Sequence, residues 1–169
     1  LGFILRRMGK LDLAEKSFKQ AIDLNPNFVE AHNNLGITLK ELGRLNAAEL
    51  RFRHTRAIKP LYPNAHNNLG ATLIELGKLE EAEIFLKKAI SLRENFLEGH
   101  INLGKMLYKL NRLNEAEEHF RKAILLKPDH FETYNSLGIT LEKLNKFKEA
   151  ETFFKKSISL HPGYADAYN

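Results

Sequence analysis

The chain has 169 residues, of which 43% are hydrophobic and 28% are charged, and its formal net charge at pH 7 is +5. This balance is typical of a folded protein and excludes an intrinsically disordered one. The chain has no cysteine, which excludes disulfides, thiolate metal sites and cysteine nucleophiles. Because no apolar run approaches the roughly 18 residues of a membrane span and residues 1–7 do not resemble a signal peptide, we expect a cytoplasmic protein without membrane insertion.

Sequence features recur along the whole chain with a period of 34 residues. A Leu-Gly pair, an alanine, a large apolar residue and a proline each form a column at this spacing, with Glu94 as the exception among the prolines. The columns are Leu1-Gly2, Leu35-Gly36, Leu69-Gly70, Leu103-Gly104, Leu137-Gly138; Ala14, Ala48, Ala82, Ala116, Ala150; Phe18, Phe52, Leu86, Phe120, Phe154; and Pro26, Pro60, Pro128, Pro162. Several columns in one register indicate a repeat architecture.

Each repeat predicts two amphipathic helices, because its apolar residues recur at helical spacing. The glycine of each Leu-Gly pair falls inside the first helix, where it costs about 1 kcal/mol, so its recurrence predicts close approach of the second helix. The first helix is expected to end at a left-handed residue, which glycine and asparagine tolerate. The residues at that position are Gly43, Gly77, Asn111 and Asn145.

The second helix is expected to open with a capping box, an acceptor at the cap and a glutamate three residues later. The pairs are Asp12 with Glu15, Asn46 with Glu49 and Asn114 with Glu117. The last repeat has Lys148 at the cap position, which cannot cap, so we expect the second helix of that repeat to fray at its start. Glutamates also precede bases by four residues, which supports a helix. These pairs are Glu15–Lys19, Glu49–Arg53, Glu83–Lys87, Glu117–Arg121 and Glu151–Lys155.

The columns closely resemble the tetratricopeptide repeat, which has Leu-Gly at repeat positions 7 and 8, alanine at 20 and 27, an aromatic at 24 and proline at 32. The resemblance implies an all-α fold, a right-handed superhelical solenoid of antiparallel helix pairs in one continuous domain, 1–169. In that register the chain has a partial repeat 1–28, full repeats 29–62, 63–96, 97–130 and 131–164, and the start of a further repeat at 165–169. The unit 29–62 departs from the pattern at Thr55-Arg56.

A histidine column occupies repeat position 4 as His32, His66 and His100, and Tyr134 and Tyr168 continue it. Stacked helices lie about 8–10 Å apart, too far for these histidines to share one metal ion. The resemblance implies a packing role instead. No phosphate loop, nucleophile elbow or catalytic triad is visible, so we expect no catalytic residues, no metal, no cofactor and no enzyme activity within this chain.

Asparagines form a ladder on the first helices, although asparagine is a poor interior helix former. Its amide both donates and accepts, which matches a peptide backbone. Position 6 holds Asn34, Asn68, Asn102 and then Ser136, and position 5 holds Asn33, Asn67, Ile101, Asn135 and Asn169. The segment Ala-His-Asn-Asn-Leu-Gly resembles the arrays of O-linked N-acetylglucosamine transferases and bacterial relatives, which implies that the position-6 asparagines bind polypeptide backbone. A structural ladder between neighbouring helices is the alternative.

Repeat positions 2, 6, 9 and 13 share one helical stripe, which the resemblance places in the concave groove. Besides the asparagines, the candidate groove residues are Glu30, Glu41, Glu75, Lys105 and Lys109. This mixed charge does not suit a nucleic acid, which needs uniform positive charge. The chaperone-binding carboxylate clamp does not fit either, because position 5 has no lysine or arginine.

Three functions remain open from the sequence. The first is a protein–protein interaction scaffold that binds an extended peptide in its groove. The second is the substrate-recruiting segment of a larger enzyme such as a glycosyltransferase. The third is a structural module that self-associates end to end through apolar residues such as Phe3, Ile4, Ile158 and Leu160.

Overall fold

The computed structural model describes residues 1–163, and these form ten α-helices. Their bounds are α1 Gly2–Arg7, α2 Leu11–Leu24, α3 Val29–Glu41, α4 Leu45–Ile58, α5 Pro63–Glu75, α6 Leu79–Leu92, α7 Leu97–Lys109, α8 Leu113–Leu126, α9 Phe131–Lys143 and α10 Phe147–Leu160. The predicted start of a further repeat at 165–169, including Tyr168 and Asn169, lies outside the described residues.

The chain divides into two compact units, Leu1–Leu92 and Arg93–Asn169. The first unit contains α1 to α6 and the second contains α7 to α10. Within each pair, three residues join the first helix to the second, so the two helices are antiparallel neighbours. In each unit the second helix of one pair also contacts the first helix of the next. The all-α class and the helix pairing are therefore confirmed.

Helix pairs pack closely at the predicted glycines. A Cβ atom built on Gly36 would lie 2.5 Å from Cε1 of Phe52, and the same clash occurs between Gly138 and Phe154. At Gly70 the blocking side chain is Leu86. Phe52 itself is completely buried. The ring of the second helix therefore lies against the bare backbone of the first, which explains why glycine recurs at this position.

The first helices end as the sequence predicts. Asn111 and Asn145 have φ values of 59° and 60°, in the left-handed region. The predicted capping boxes are wrong, because the N-cap of each of these second helices lies two residues earlier than expected. Ala48 N donates to Arg44 O at 3.0 Å, which makes Arg44 the N-cap.

The other second helices begin in the same way. The residues predicted as caps (Asp12, Asn46 and Asn114) lie inside the first turn, and none of the caps that precede these helices makes a side-chain hydrogen bond. Each connection has three residues with the left-handed residue at its centre, and the single residue that follows it is the cap. Lys148 likewise lies within the first turn of α10, whose N-cap is Lys146. The N-caps of α2, α4 and α8 are also lysine or arginine. The reason for predicting fraying at Lys148 therefore does not hold.

The histidine column fastens each first helix to the turn before it. His32 Nε2 donates to Pro26 O at 2.8 Å, and His66 Nε2 donates to Pro60 O at 2.7 Å. In the second unit, His100 makes the same bond to Glu94 O at 3.0 Å. All three rings are buried. The predicted packing role is confirmed, and the bond to the main chain explains why Glu94 can replace proline, since the carbonyl is unchanged.

The second-helix glutamates link neighbouring repeats. Glu49 pairs with Arg53 at 2.7 Å on its own helix, as predicted, and also with Lys78 at 2.8 Å in the next repeat. Glu15 and Glu117 make equivalent pairs with Arg44 and Lys146. Each carboxylate therefore links its own helix to the residue that precedes the second helix of the next repeat.

The departure at Thr55-Arg56 is accommodated without exposing the core. Thr55 is fully buried, and its hydroxyl donates to Arg51 O at 2.8 Å. The guanidinium of Arg56 lies 5.1 Å from the centre of the Phe85 ring, a cation–π contact with the next helix pair. Arg56 therefore points at the interface and lies along an aromatic face.

Candidate functional site

We define the first-helix face as the stripe formed by repeat positions 2, 6, 9 and 13 of the first helices. In the first unit it comprises Glu30, Asn34, Ile37 and Glu41 on α3, and Asn64, Asn68, Ala71 and Glu75 on α5. In the second unit it comprises Glu98, Asn102, Lys105 and Lys109 on α7, and Glu132, Ser136, Ile139 and Lys143 on α9. Because residues three and four apart share one side of a helix, these side chains lie on the same surface of their helix.

The position-6 asparagines are half-buried and held in place by hydrogen bonds. Asn34 Nδ2 donates to Glu30 O at 2.8 Å, one turn back on α3. Asn68 Nδ2 donates to Asn33 Oδ1 at 3.0 Å and so joins α5 to α3. Asn102 takes the equivalent place on α7. Part of the bonding capacity of Asn34 and of Asn68 is thus used within the protein.

The position-5 asparagines lie deeper. Asn33, Asn67 and Asn135 are 6%, 5% and 6% exposed. Asn33 accepts the hydrogen bond from Asn68, whereas Oδ1 of Asn135 has no hydrogen-bond partner among residues 1–163. These three side chains support the face from below.

Ion pairs neutralise the acidic side chains at the end of the face in the first unit. Glu41 pairs with Arg6 of α1 at 2.8 Å, and Glu75 pairs with Lys40 of α3 at 2.8 Å. Each pair joins consecutive first helices. The negative charges of Glu41 and Glu75 are therefore balanced by Arg6 and Lys40, which lie outside the stripe.

The second unit carries a pocket of about 270 Å³ on its face, between α7 and α9. Lys105, Tyr108 and Lys109 of α7, Ser136 and Ile139 of α9, and Phe120 of α8 line it. The Nζ atom of Lys143 lies 4.8 Å from the centre of the Tyr108 ring. The two predicted lysines thus meet at one pocket.

Sequence patterns match known families along most of the chain. Family models described as TPR repeat and tetratricopeptide repeat match residues 2–43, 63–96 and 96–162. The chain is a tetratricopeptide-repeat (TPR) protein. No curated protein matches it with significance.

Solved structures superpose on this TPR protein over nearly its full length. The crystal structure of MamA is 25% identical with a TM-score of 0.81, and the match covers 98% of this chain and 96% of MamA. TTC0263, a thermophilic TPR protein of Thermus thermophilus, is 25% identical with a TM-score of 0.85, covering 99% and 92%. YrrB, a TPR protein with an unusual peptide-binding site, is 21% identical with a TM-score of 0.76, covering 99% and 86%. The likeness to YrrB concerns the fold alone.

Sequence reasoning missed the residues that pair along the TPR face. Position 12 of one repeat meets position 13 of the next, as Arg6 with Glu41, Lys40 with Glu75 and Tyr108 with Lys143. These partners are 35 residues apart, one more than the repeat period, and that spacing was the signal available in the sequence.

Neither a metal cluster nor a membrane-spanning helix is present in residues 1–163 of the TPR chain. No group of three or more histidine, cysteine, aspartate or glutamate side chains within that range is arranged to hold a metal ion. None of the helices described there is both long and apolar enough to cross a membrane.

Proposed function

We propose that this TPR protein is an interaction scaffold that holds an extended polypeptide segment along its first-helix face. The observation that carries the proposal is the series of half-buried amides at position 6, each on the same face of its own first helix. Neighbouring first helices in a stack lie about 8–10 Å apart, and an extended chain rises about 3.3 Å per residue. Within the first unit, Asn34 and Asn68 can therefore meet the backbone of a bound segment about three residues apart.

The internal hydrogen bonds of the ladder favour binding as well as packing. A carboxamide has two N–H donors and one acceptor oxygen. The bonds from Asn34 to Glu30 O and from Asn68 to Asn33 use one donor each. The remaining donor and the oxygen of Asn34 can serve a partner's backbone. So can those of Asn68, whose oxygen accepts a long hydrogen bond from Asn67 Nδ2 at 3.5 Å but has a second lone pair. Side chains that are already fixed lose less entropy on binding, which strengthens the complex.

The buried asparagines have a supporting role in this proposal. Asn33, Asn67 and Asn135 hold the ladder from beneath, while Glu30, Glu41 and Glu75 border it in the first unit and Lys105 and Lys109 in the second. The proposal assigns no chemical step to any of these residues.

The test is a selection from a random peptide library, followed by measurement of binding to the triple variant Asn34→Ala, Asn68→Ala and Asn102→Ala. Each lost hydrogen bond should weaken binding by about 1 kcal/mol. Because Asn68 also bonds Asn33, thermal melting of the variant must be measured beside binding. The matched control replaces three exposed asparagines outside the face, Asn46, Asn95 and Asn114, with alanine. If a folded triple variant binds selected peptides as tightly as the parent, the ladder is structural and the proposal is wrong.

A further inference from the structure

Two ladder positions of the second unit, one of which lines the pocket, differ from those of the first unit. In the first unit, Asn33 at position 5 and Asn68 at position 6 of the next repeat bond to each other. At the equivalent places in the second unit stand Ile101 and Ser136. The Ser136 hydroxyl donates to Glu132 O at 2.9 Å on its own helix, so it does not reach towards α7. The amide bridge that joins α3 to α5 therefore has no counterpart in Ile101 and Ser136, and Ser136 lines the pocket between α7 and α9.

The size and lining of the pocket suit one apolar side chain. Pockets that take a drug-sized ligand measure roughly 300–1,000 Å³, and this one measures about 270 Å³. Its walls include the rings of Tyr108 and Phe120 and the side chain of Ile139. Ile139 is 38% exposed, more than Ile37, which occupies the same repeat position on α3 and is half-buried. Burying it under a partner would remove apolar surface from water.

The charges around the pocket are positive and uncompensated. Lys105 and Lys109 are exposed, and neither forms an ion pair within the described part of the chain. Lys143, on the opposite side of the pocket, contacts the Tyr108 ring. In the first unit the corresponding end of the face is neutralised by the Arg6–Glu41 pair and its Lys40–Glu75 counterpart.

Acidic residues of the same stripe lie at the other end of their helices. Glu98 precedes Lys105 by seven residues, and Glu132 precedes Ile139 by seven. Glu132 also precedes Ser136, another lining residue, by four. At 1.5 Å per residue along the helix axis, Glu98 is therefore about 10 Å and Glu132 about 6 Å from the nearest lining residue of its own helix. The pocket therefore has an apolar centre with lysines on both sides, and the stripe carboxylates lie one to two helical turns away from it.

We propose that this pocket is the anchor site for an acidic peptide segment, in which one large aliphatic or aromatic side chain fills the pocket and acidic residues on both sides of it face Lys105, Lys109 and Lys143. The proposal rests on the function proposed above and names the class of peptide that the face selects. An apolar anchor beside complementary charge is the usual arrangement of a small recognition site, since the apolar group supplies affinity and the charges supply specificity.

A nucleic acid fits the same features less well. It has phosphates but no aliphatic side chain to fill the pocket, and tight backbone binding needs many phosphate contacts. The pocket offers three lysines, and the acidic ends of α7 and α9 would repel a longer polyanion. We therefore assign the site to a peptide and treat nucleic-acid binding as a contrary outcome.

The test is a selection of random displayed peptides on the full chain and, in parallel, on the variant Lys105→Glu/Lys109→Glu. Parent-selected peptides should be enriched in glutamate or aspartate around one leucine, isoleucine, methionine or phenylalanine. The variant should weaken these peptides about tenfold, the sum of several partly exposed ion pairs. It should itself select peptides that carry lysine or arginine. The matched control is Lys122→Glu/Lys127→Glu, which makes the same charge change on exposed lysines of α8 and its C-cap and should leave binding unchanged.

A second variant tests the pocket separately from the charge. Ser136→Leu places a larger side chain at the pocket wall and should remove the preference for a large apolar residue while keeping the preference for acids.

If peptides selected on the parent show no large apolar residue, or if Lys105→Glu/Lys109→Glu binds them as well as the parent, the anchor proposal is wrong while the ladder proposal stands. If no peptide binds the parent, both are wrong. Tighter binding of a single-stranded oligonucleotide than of any selected peptide, lost in the Lys105→Glu/Lys109→Glu variant, would overturn the assignment to a peptide.

Discussion

Single glycines decide how closely the helices of each pair approach. The ring of Phe52, which is completely buried, occupies the space that a side chain on Gly36 would need. Helix propensity and packing therefore oppose each other at this residue. Propensity favours alanine by about 1 kcal/mol, whereas an added methyl group in a filled core costs roughly 1–3 kcal/mol.

We predict that Gly36→Ala destabilises the protein by roughly 1–2 kcal/mol, because the new Cβ would lie 2.5 Å from Phe52 and the ring cannot leave its site without opening a cavity. Urea unfolding followed by circular dichroism measures the change. In the background of Phe52→Ala, which frees the space, the same substitution should cost much less. An increase in stability would mean that helix propensity outweighs packing here, and our account of the glycine column would fail.

At the scale of helices, carboxylates on the second helices connect successive repeats. Glu49 is 8% exposed and receives hydrogen bonds from Arg53 on its own helix and Lys78 of the next repeat. A buried carboxylate with two donors is stabilised more than an exposed pair, because its hydrogen bonds are sheltered from water. The same arrangement recurs at Glu117 with Arg121 and Lys146.

We predict that Glu49→Gln lowers the free energy of unfolding by about 1 kcal/mol, a modest value because the partners Arg53 and Lys78 are partly exposed and screened. The effect should shrink at high salt. The matched control is Glu151→Gln, which removes a single exposed pair with Lys155 and should not change stability measurably. Equal effects of the two substitutions in thermal melting would show that the link between repeats contributes nothing.

At the scale of the whole molecule, buried histidines and paired glutamates set how stability depends on pH. Burial lowers the pKa of His32 and of His66 below the ordinary value of 6.5, although each ring donates to a carbonyl. The unfolded chain therefore binds protons at these residues first, and stability falls as the pH falls below about 6.5.

The glutamates act in a second, lower window of pH. The hydrogen bond from Lys19 lowers the pKa of Glu15. Burial alone would raise the pKa of Glu49 and of Glu117, but hydrogen bonds from their lysine and arginine partners outweigh it and lower both. Because these pKa values lie below the ordinary 4.5, their stabilisation is present above that pH and is lost as the pH falls further.

We predict two successive losses of stability on acidification, one below about pH 6.5 and one below about pH 4.5, measured as the free energy of unfolding in urea across the pH range. In the double variant His32→Tyr/His66→Tyr, the first loss should become smaller while the second remains. Tyrosine is chosen because Tyr134 occupies the same repeat position in α9 and is buried there. An unchanged slope between about pH 7 and 5 in the variant would show that other groups govern the upper window.

The sequence alone determined the repeat length, the helix pairs, the glycine contacts and the left-handed caps, because these depend on interactions within about 34 residues that recur in every repeat. It misplaced the second-helix caps by two residues, since a shift of the helix start leaves the apolar pattern unchanged. Only the tertiary structure decided which groups meet between repeats, such as Lys78 with Glu49, Asn68 with Asn33 and Lys40 with Glu75. Those contacts join residues 29 or 35 apart in the sequence, not 34. Which residues of successive repeats meet depends on how far one helix is shifted along the next when they pack, and the sequence of a single repeat does not specify that shift.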